Sequence, residues 1–170
     1  GRAVGQSRHP ERAARALAIL GEKSGVSGML GGQSVDVEKT GERLDATTLD
    51  FIYRLKTGAL LEAAFMMGAA LGGASEAEIS CAEQIGRAVG LAFQIQDDIL
   101  DETATEAELG KPLHSDEKNQ KTTYVSLFGL EAAREAVRQQ SEAAEQRLRE
   151  FPGETETLAA LIAYLTDRRF

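Results

Sequence analysis

Very little in this chain could cross-link it, kink it or anchor it in a bilayer. A single cysteine, Cys81, among 170 residues excludes an internal disulfide and suits a reducing compartment. Its neighbours place it on a helix face rather than in the role of a nucleophile. Only three prolines interrupt the sequence, which leaves long stretches free to stay helical. Abundant Ala, Leu, Glu and Arg and few β-branched clusters point the same way, to an all-α fold. No apolar run is long enough to span a membrane: the best stretch, Ala63–Ala74, follows Glu62 and holds 12 residues, where a transmembrane helix needs roughly 20. A basic excess is also missing. The net charge of −8 speaks against a nucleic-acid surface, which requires a basic face, but leaves room for a local basic pocket. No internal repeat, low-complexity segment or signal-peptide core is present. What is there, 42% hydrophobic and 27% charged residues, is the composition of a soluble globular protein with one domain's worth of core.

Against that background Val89–Asp101, Val-Gly-Leu-Ala-Phe-Gln-Ile-Gln-Asp-Asp-Ile-Leu-Asp, stands out, because its only charges are Asp97, Asp98 and Asp101. On a helix, Asp97 and Asp101 lie one turn apart on one face with Asp98 beside them. Carboxylates at the end of an apolar helix are costly unless solvent or a cation receives them. Two readings remain open: a helix end dipping into water, or a hard-oxygen cluster for Mg²⁺, which takes one or two carboxylates and completes its shell with water and phosphate oxygens.

Along the chain, Pro10 opens a helix that runs to Gly21 or Gly28 with Ala13, Leu17 and Leu20 inward. The glycines at 21, 25, 28, 31 and 32 mark either a loose helix end or close packing against a neighbour, and residues 33–46, with Gln33 and Asp36, read as a connection or short helix. A longer helix, Thr47–Leu71, is capped by Thr47 or Thr48 and turns Leu49, Ile52, Tyr53, Lys56, Leu60, Ala63 and Met67 inward. Lys56 is the misfit in that stripe. It either snorkels to the edge or aims a point charge at an anionic ligand, with Thr57 and Gly58 supplying a hydroxyl and a gap. Ser75 and Glu78 form a capping box, so the next helix runs through Ile79 and Val89 to Asp101. It carries no charge from Ala88 to Gln96, which predicts a central, surrounded helix with its acidic end at an interior or pocket mouth. Residues 103–120, with Gly110, Pro112, Lys111 and Lys118, read as a long loop or lid. A helix starts near Thr122, Glu131–Arg149 forms a charged amphipathic helix, Pro152-Gly153 turns the chain and Glu156–Arg168 closes it.

The ordered set Lys56-Thr57-Gly58, Phe93-Gln94-Ile95-Gln96-Asp97-Asp98-Ile99-Leu100-Asp101, Gly110-Lys111, Asp116 and Lys121-Thr122-Thr123-Tyr124 resembles the bacterial trans-isoprenyl diphosphate synthases: farnesyl and geranylgeranyl diphosphate synthases and polyprenyl synthetases. Gly28-Met29-Leu30-Gly31-Gly32-Gln33 is similar to the glycine-rich helix pair of that family. The resemblance implies an isoprenoid-synthase helical bundle, a homodimer in the cytoplasm, and condensation of isopentenyl diphosphate with an allylic diphosphate (dimethylallyl or geranyl) to give farnesyl or geranylgeranyl diphosphate. By carry-over, Asp97, Asp98 and Asp101 hold Mg²⁺, with Asp98 as the supporting carboxylate. Lys56, Lys111 and Lys121 contact the diphosphate, Thr57 and Gln94 hydrogen-bond nearby, and Lys56 and Asp97 carry the catalytic roles; Arg168 and Arg169 are similar to a basic C-terminal end that covers the second substrate. Gln120 and His114 depart from the family's pattern without removing a group that the chemistry needs.

The first aspartate-rich motif of such enzymes has no counterpart in these residues, because the only carboxylates before residue 36 are Glu11 and Glu22. The expectation is therefore a C-terminal part of a single synthase domain, residues 1–170, inactive alone. Its cut faces should expose apolar side chains and favour self-association. A non-catalytic helical subunit of a heteromeric synthase is the alternative, and a related terpene cyclase fits less well because it lacks the Lys56-Thr57-Gly58 and Gly110-Lys111 pattern.

Overall fold

The computed structural model describes residues 4, 5, 7–103 and 121–166. Among these residues the elements are all helical: α1 (Pro10–Ser24), α2 (Met29–Glu38), α3 (Ala46–Ile52), a π-helical segment (Tyr53–Gly58), α4 (Ala59–Gly72), α5 (Glu76–Thr103), α6 (Tyr124–Phe128), α7 (Leu130–Glu150) and α8 (Glu156–Thr166). The all-α class read from composition is what the chain adopts.

Helix α5 is the axis of the bundle, as its charge-free middle predicts. One flank, Ile85, Ala88 and Val89, packs with Ala144 and Leu148 of α7 and Ile162 of α8. Further along, Ala92, Ile95 and Ile99 meet Ala133 and Val137 of α7. Its start joins α1 and α4 through Ile79, Ile19, Ala63 and Ala70. The capping box forms: the Ser75 N–H donates to Glu78 Oε2 at 2.6 Å, and the Glu78 N–H to Ser75 Oγ at 3.3 Å. Helix α3 is capped by Asp45, whose Oδ1 accepts from the Thr48 N–H at 2.8 Å, rather than by Thr47 or Thr48. An aspartate two residues before Thr47 offers a full negative charge to the helix N-terminus, a stronger acceptor there than a hydroxyl.

Two predicted apolar stripes shift. On α1 the buried residues are Ala16 and Ile19, whereas Leu17 is 51% exposed and Leu20 37%; the face that packs against α4 is the one bearing Ile19, which meets Ala63 and Ala70. In the second helix Leu60 is 40% exposed and Ala59 is buried in its place. The π-helical segment explains the difference. It admits one extra residue per turn, so every position beyond it rotates relative to a continuous α-helix begun at Thr47.

The glycine-rich stretch resolves toward close packing. Helix α2 continues from Met29 to Glu38, and a Cβ at Gly32 would collide with the Lys56 backbone nitrogen and lie 2.8 Å from Leu55 Cβ. Opposite, a Cβ at Gly90 of α5 would stand 2.9 Å from Gly58 Cα. Gly32 and Gly90 thus allow α2 and α5 to press the π-helical segment from two sides.

Charge also lies inside the bundle. Glu62 of α4 is 3% exposed. It accepts from the Lys23 ammonium of α1 and, at 3.1 Å, from Arg87 Nε of α5, while Lys23 also donates to Glu83 at 2.6 Å. Burial alone would push Lys23 toward neutrality; hydrogen bonds to Glu62 and Glu83 outweigh it and raise the pKa above the ordinary lysine value. Cys81 is half-buried on α5 with its Sγ 3.8 Å from the Arg147 carbonyl, a helix-face position as its neighbours imply.

Candidate functional site

The site residues gather where the π-helical segment, the C-terminal end of α5 and the start of α6 come together. A π-turn is less favourable than α-helix and recurs where a side chain must be re-aimed at a functional position. Here it carries Lys56, Thr57 and Gly58. The Lys56 ammonium donates to Asp36 Oδ2 of α2 at 2.5 Å with its side chain 36% exposed. The side chain thus reaches the wet edge, and its charge is met there by the Asp36 carboxylate. Next to it the Thr57 hydroxyl donates to Gln94 Oε1 of α5 at 2.9 Å, which joins two motifs that lie 37 residues apart.

One turn beyond Gln94, Asp97 is half-buried and Asp101 is 6% exposed. Asp98 points elsewhere around the helix. It is 3% exposed, and its Oδ2 accepts from the Tyr53 hydroxyl at 2.5 Å and from the Tyr124 N–H at 2.7 Å. Among the described residues, no three Asp, Glu, His or Cys side chains converge as a metal-binding group. The helical period separates Asp98 from Asp97 by about 100°, while Asp97 and Asp101 stay within about 40° of one another. That pair is a donor set that fits Mg²⁺, which takes one or two protein carboxylates and leaves the rest of its shell to water and phosphate.

Lys121 is exposed at the point where the chain returns to the bundle, and each of the three residues after it is tied down. Thr122 Oγ1 accepts from the Leu44 N–H at 3.0 Å. Thr123 caps α6 in a reciprocal box with Ser126, at 3.1 and 2.9 Å. Tyr124 makes the backbone bond to Asp98. Lys111, Gly110, Asp116, Lys118, His114, Arg168 and Arg169 lie outside the described residues.

Asp36 and Tyr53 escape the sequence reading of the site, and Tyr124 enters it only as the last residue of the Lys121-Thr122-Thr123-Tyr124 run. A signal for Asp36 exists: Gly32 packs on the Lys56 backbone, so a side chain one turn further along α2 reaches the Lys56 ammonium. Tyr53 reads from sequence as core, which it is, and only the fold shows what its hydroxyl meets. A groove of about 580 Å³ lined by Phe65, Gly68, Gly72, Ile85, Phe151 and Leu161 lies toward the opposite ends of α4 and α5 from these groups and takes no part in the site.

Residues 7–165 match the polyprenyl synthetase family model. The chain belongs to the polyprenyl synthetase family. It is 41% identical over 158 residues to a dimethylallyltranstransferase of Fischerella ambigua, covering 91% of this chain and 46% of that protein. In structure it is similar to the geranylgeranyl pyrophosphate synthetase of Pyrococcus horikoshii, with a TM-score of 0.83 and 27% identity over 98% of this chain and 63% of that one. A geranyltransferase of Helicobacter pylori, complexed with magnesium and isoprenyl diphosphate, superposes with a TM-score of 0.73 at 27% identity, covering 96% of this chain and 53% of that one. The chain spans about half the length of the curated relatives it matches. Among the described residues, no helix is long and apolar enough to cross a membrane.

Proposed function

We propose that these residues form the C-terminal half of the active site of a prenyltransferase that condenses isopentenyl diphosphate with an allylic diphosphate, dimethylallyl or geranyl, to give farnesyl or geranylgeranyl diphosphate. The observation that carries the proposal is the Thr57–Gln94 hydrogen bond. It sets the Lys56-bearing segment against the turn of α5 just before Asp97, which supports a cationic and an anionic group serving one ligand. That combination suits a diphosphate bound together with a divalent cation.

In this reading Asp97 and Asp101 hold Mg²⁺, which when bound neutralises negative charge on the diphosphate leaving group. Lys56, released from Asp36, and Lys121 donate to phosphate oxygens, with Lys111 as a third ammonium from the segment between α5 and α6. These charges favour departure of the diphosphate because they are in place before charge develops. The polar atoms of Thr57 and Gln94 would stabilise positive charge on the allylic carbon, and an apolar cavity would keep out water that otherwise captures the cation. The protein works as a cytoplasmic homodimer, and residues 1–170 alone lack the opposing carboxylates and do not turn over.

Calorimetric titration of the chain with inorganic pyrophosphate, with and without Mg²⁺, tests the site without requiring turnover. Binding that needs Mg²⁺ and weakens in Asp97→Asn is expected, and Mg²⁺-independent binding indifferent to that change rejects the site. Prenyl transfer by the 170-residue chain supplied with both substrates would refute its dependence on a second half.

A further inference from the structure

Asp98 is the second carboxylate of the acidic run, yet its surroundings are those of a joint. It is 3% exposed, and a carboxylate that far from water needs strong donors. One oxygen, Oδ2, takes both the Tyr53 hydroxyl at 2.5 Å and the Tyr124 N–H at 2.7 Å. Tyr53 is itself 4% exposed and opens the π-helical segment that bears Lys56 and Thr57. Tyr124 is the first residue of α6, three positions after Lys121. Asp98 stands between Asp97 and Asp101 on α5. A single oxygen atom therefore links the three elements that carry the proposed ligands.

We infer that Asp98 is a positioning residue that latches the Lys121–Tyr124 segment of the site to the Lys56 segment, and that it does not bind the metal. The inference rests on the diphosphate-site reading above. The chemistry of the joint favours it over a metal role. Two short hydrogen bonds to the same anionic oxygen occupy the lone pairs that a cation would need there, and both donors come from packed groups rather than from mobile side chains. The residues after Lys121 serve the same purpose. Thr122 holds Leu44, Thr123 caps α6 and Tyr124 reaches Asp98, so the backbone that delivers Lys121 is fixed at three consecutive positions.

Amide hydrogen exchange of the 170-residue chain reads the latch directly at the Tyr124 N–H, and pyrophosphate titration with Mg²⁺ reads the site. Asp98→Ala should speed Tyr124 exchange about tenfold, the effect expected when one charge-assisted bond holding a local structure is lost, and should weaken Mg²⁺-dependent pyrophosphate binding in parallel. Tyr53→Phe should shift both in the same direction by less, and adding it to Asp98→Ala should change neither further. Asp98→Asn keeps an acceptor oxygen and should stay within about twofold of the parent in both readouts. Asp97→Asn should weaken binding and leave Tyr124 exchange alone. Loss of binding in Asp98→Asn with Tyr124 still protected would make the carboxylate a ligand and overturn the latch. Unchanged Tyr124 exchange in Asp98→Ala would do the same; should that variant not fold, Tyr53→Phe and Asp98→Asn still decide. If the parent chain itself fails to bind Mg²⁺ and pyrophosphate, the site reading falls, while the exchange data continue to judge the joint.

Discussion

Among the described residues the bundle takes charge into its interior at two places, and it does so differently. Around Glu62, Lys23, Glu83 and Arg87 bring opposite charges from three helices against one another, with Lys23 14% exposed and Glu62 4% at the side chain. Each group's partner comes from elsewhere in the fold, so the cluster is complete as protein. At the other end Asp97, Asp98 and Asp101 crowd like charges onto one turn of α5. There the polypeptide uses one of the three, Asp98, as a joint between elements, and directs a lysine, Lys56, to a half-exposed edge. Charges matched across helices hold the fold together; like charges stacked on one helix are tolerated where donors or cations beyond that helix meet them.

That contrast can be broken experimentally. The largest effect is expected for Glu62→Ala, which leaves Lys23 with Glu83 alone and takes the acceptor from Arg87 Nε, and should cost about 3 kcal/mol in urea denaturation; a loss under about 1 kcal/mol would show that the Glu62 cluster is solvated rather than structural. Gly90→Ala drives a methyl group to 2.9 Å from the Gly58 backbone and should cost about 1–3 kcal/mol by overpacking. Because it displaces the segment bearing Lys56, pyrophosphate affinity should fall with stability.

Lys56→Ala should separate the two properties. Its pair with Asp36 is half-exposed and contributes no more than about 1 kcal/mol to folding. Loss of a charged donor to phosphate should nevertheless lower pyrophosphate affinity by about tenfold or more. Equal effects on unfolding and binding would erase the distinction between the two ends. The smallest effect is in alkaline titration. Lys23 has a folded pKa raised above 10.5, so its contribution to stability is complete below that value and fades as pH rises through the raised one. Unfolding midpoints measured from neutral pH upward should decline there, and Glu62→Gln should flatten the decline.

Much of this is legible in the order of residues, for reasons that are local. A helix with no charge from Ala88 to Gln96 has to be surrounded, and α5 is. Ser75 and Glu78 are close enough in sequence to cap a helix without help. Thr57 and Gln94 were matched through a family pattern, and the fold brings them to 2.9 Å. The errors also have physical causes. Leu60 was placed inward by counting a continuous α-helix, and one π-turn rotated it out. Helical spacing points Ala13, Leu17 and Leu20 inward, but the contact with α4 selects the neighbouring Ala16–Ile19 face.

Sequence by itself determined helix content, the central place of α5 and the clustering of Asp97, Asp98 and Asp101 on one turn, because propensity, periodicity and capping act over a few residues. Only the tertiary structure decided what each of those carboxylates faces. Asp98 meets Tyr53 across 45 residues and Tyr124 across 26, and Lys56 meets Asp36 across 20. Such partners are selected by how helices cross, and the crossings depend on where Gly32 and Gly90 let backbones approach. Three aspartates within five residues thus acquire different work from the direction in which a helix presents them.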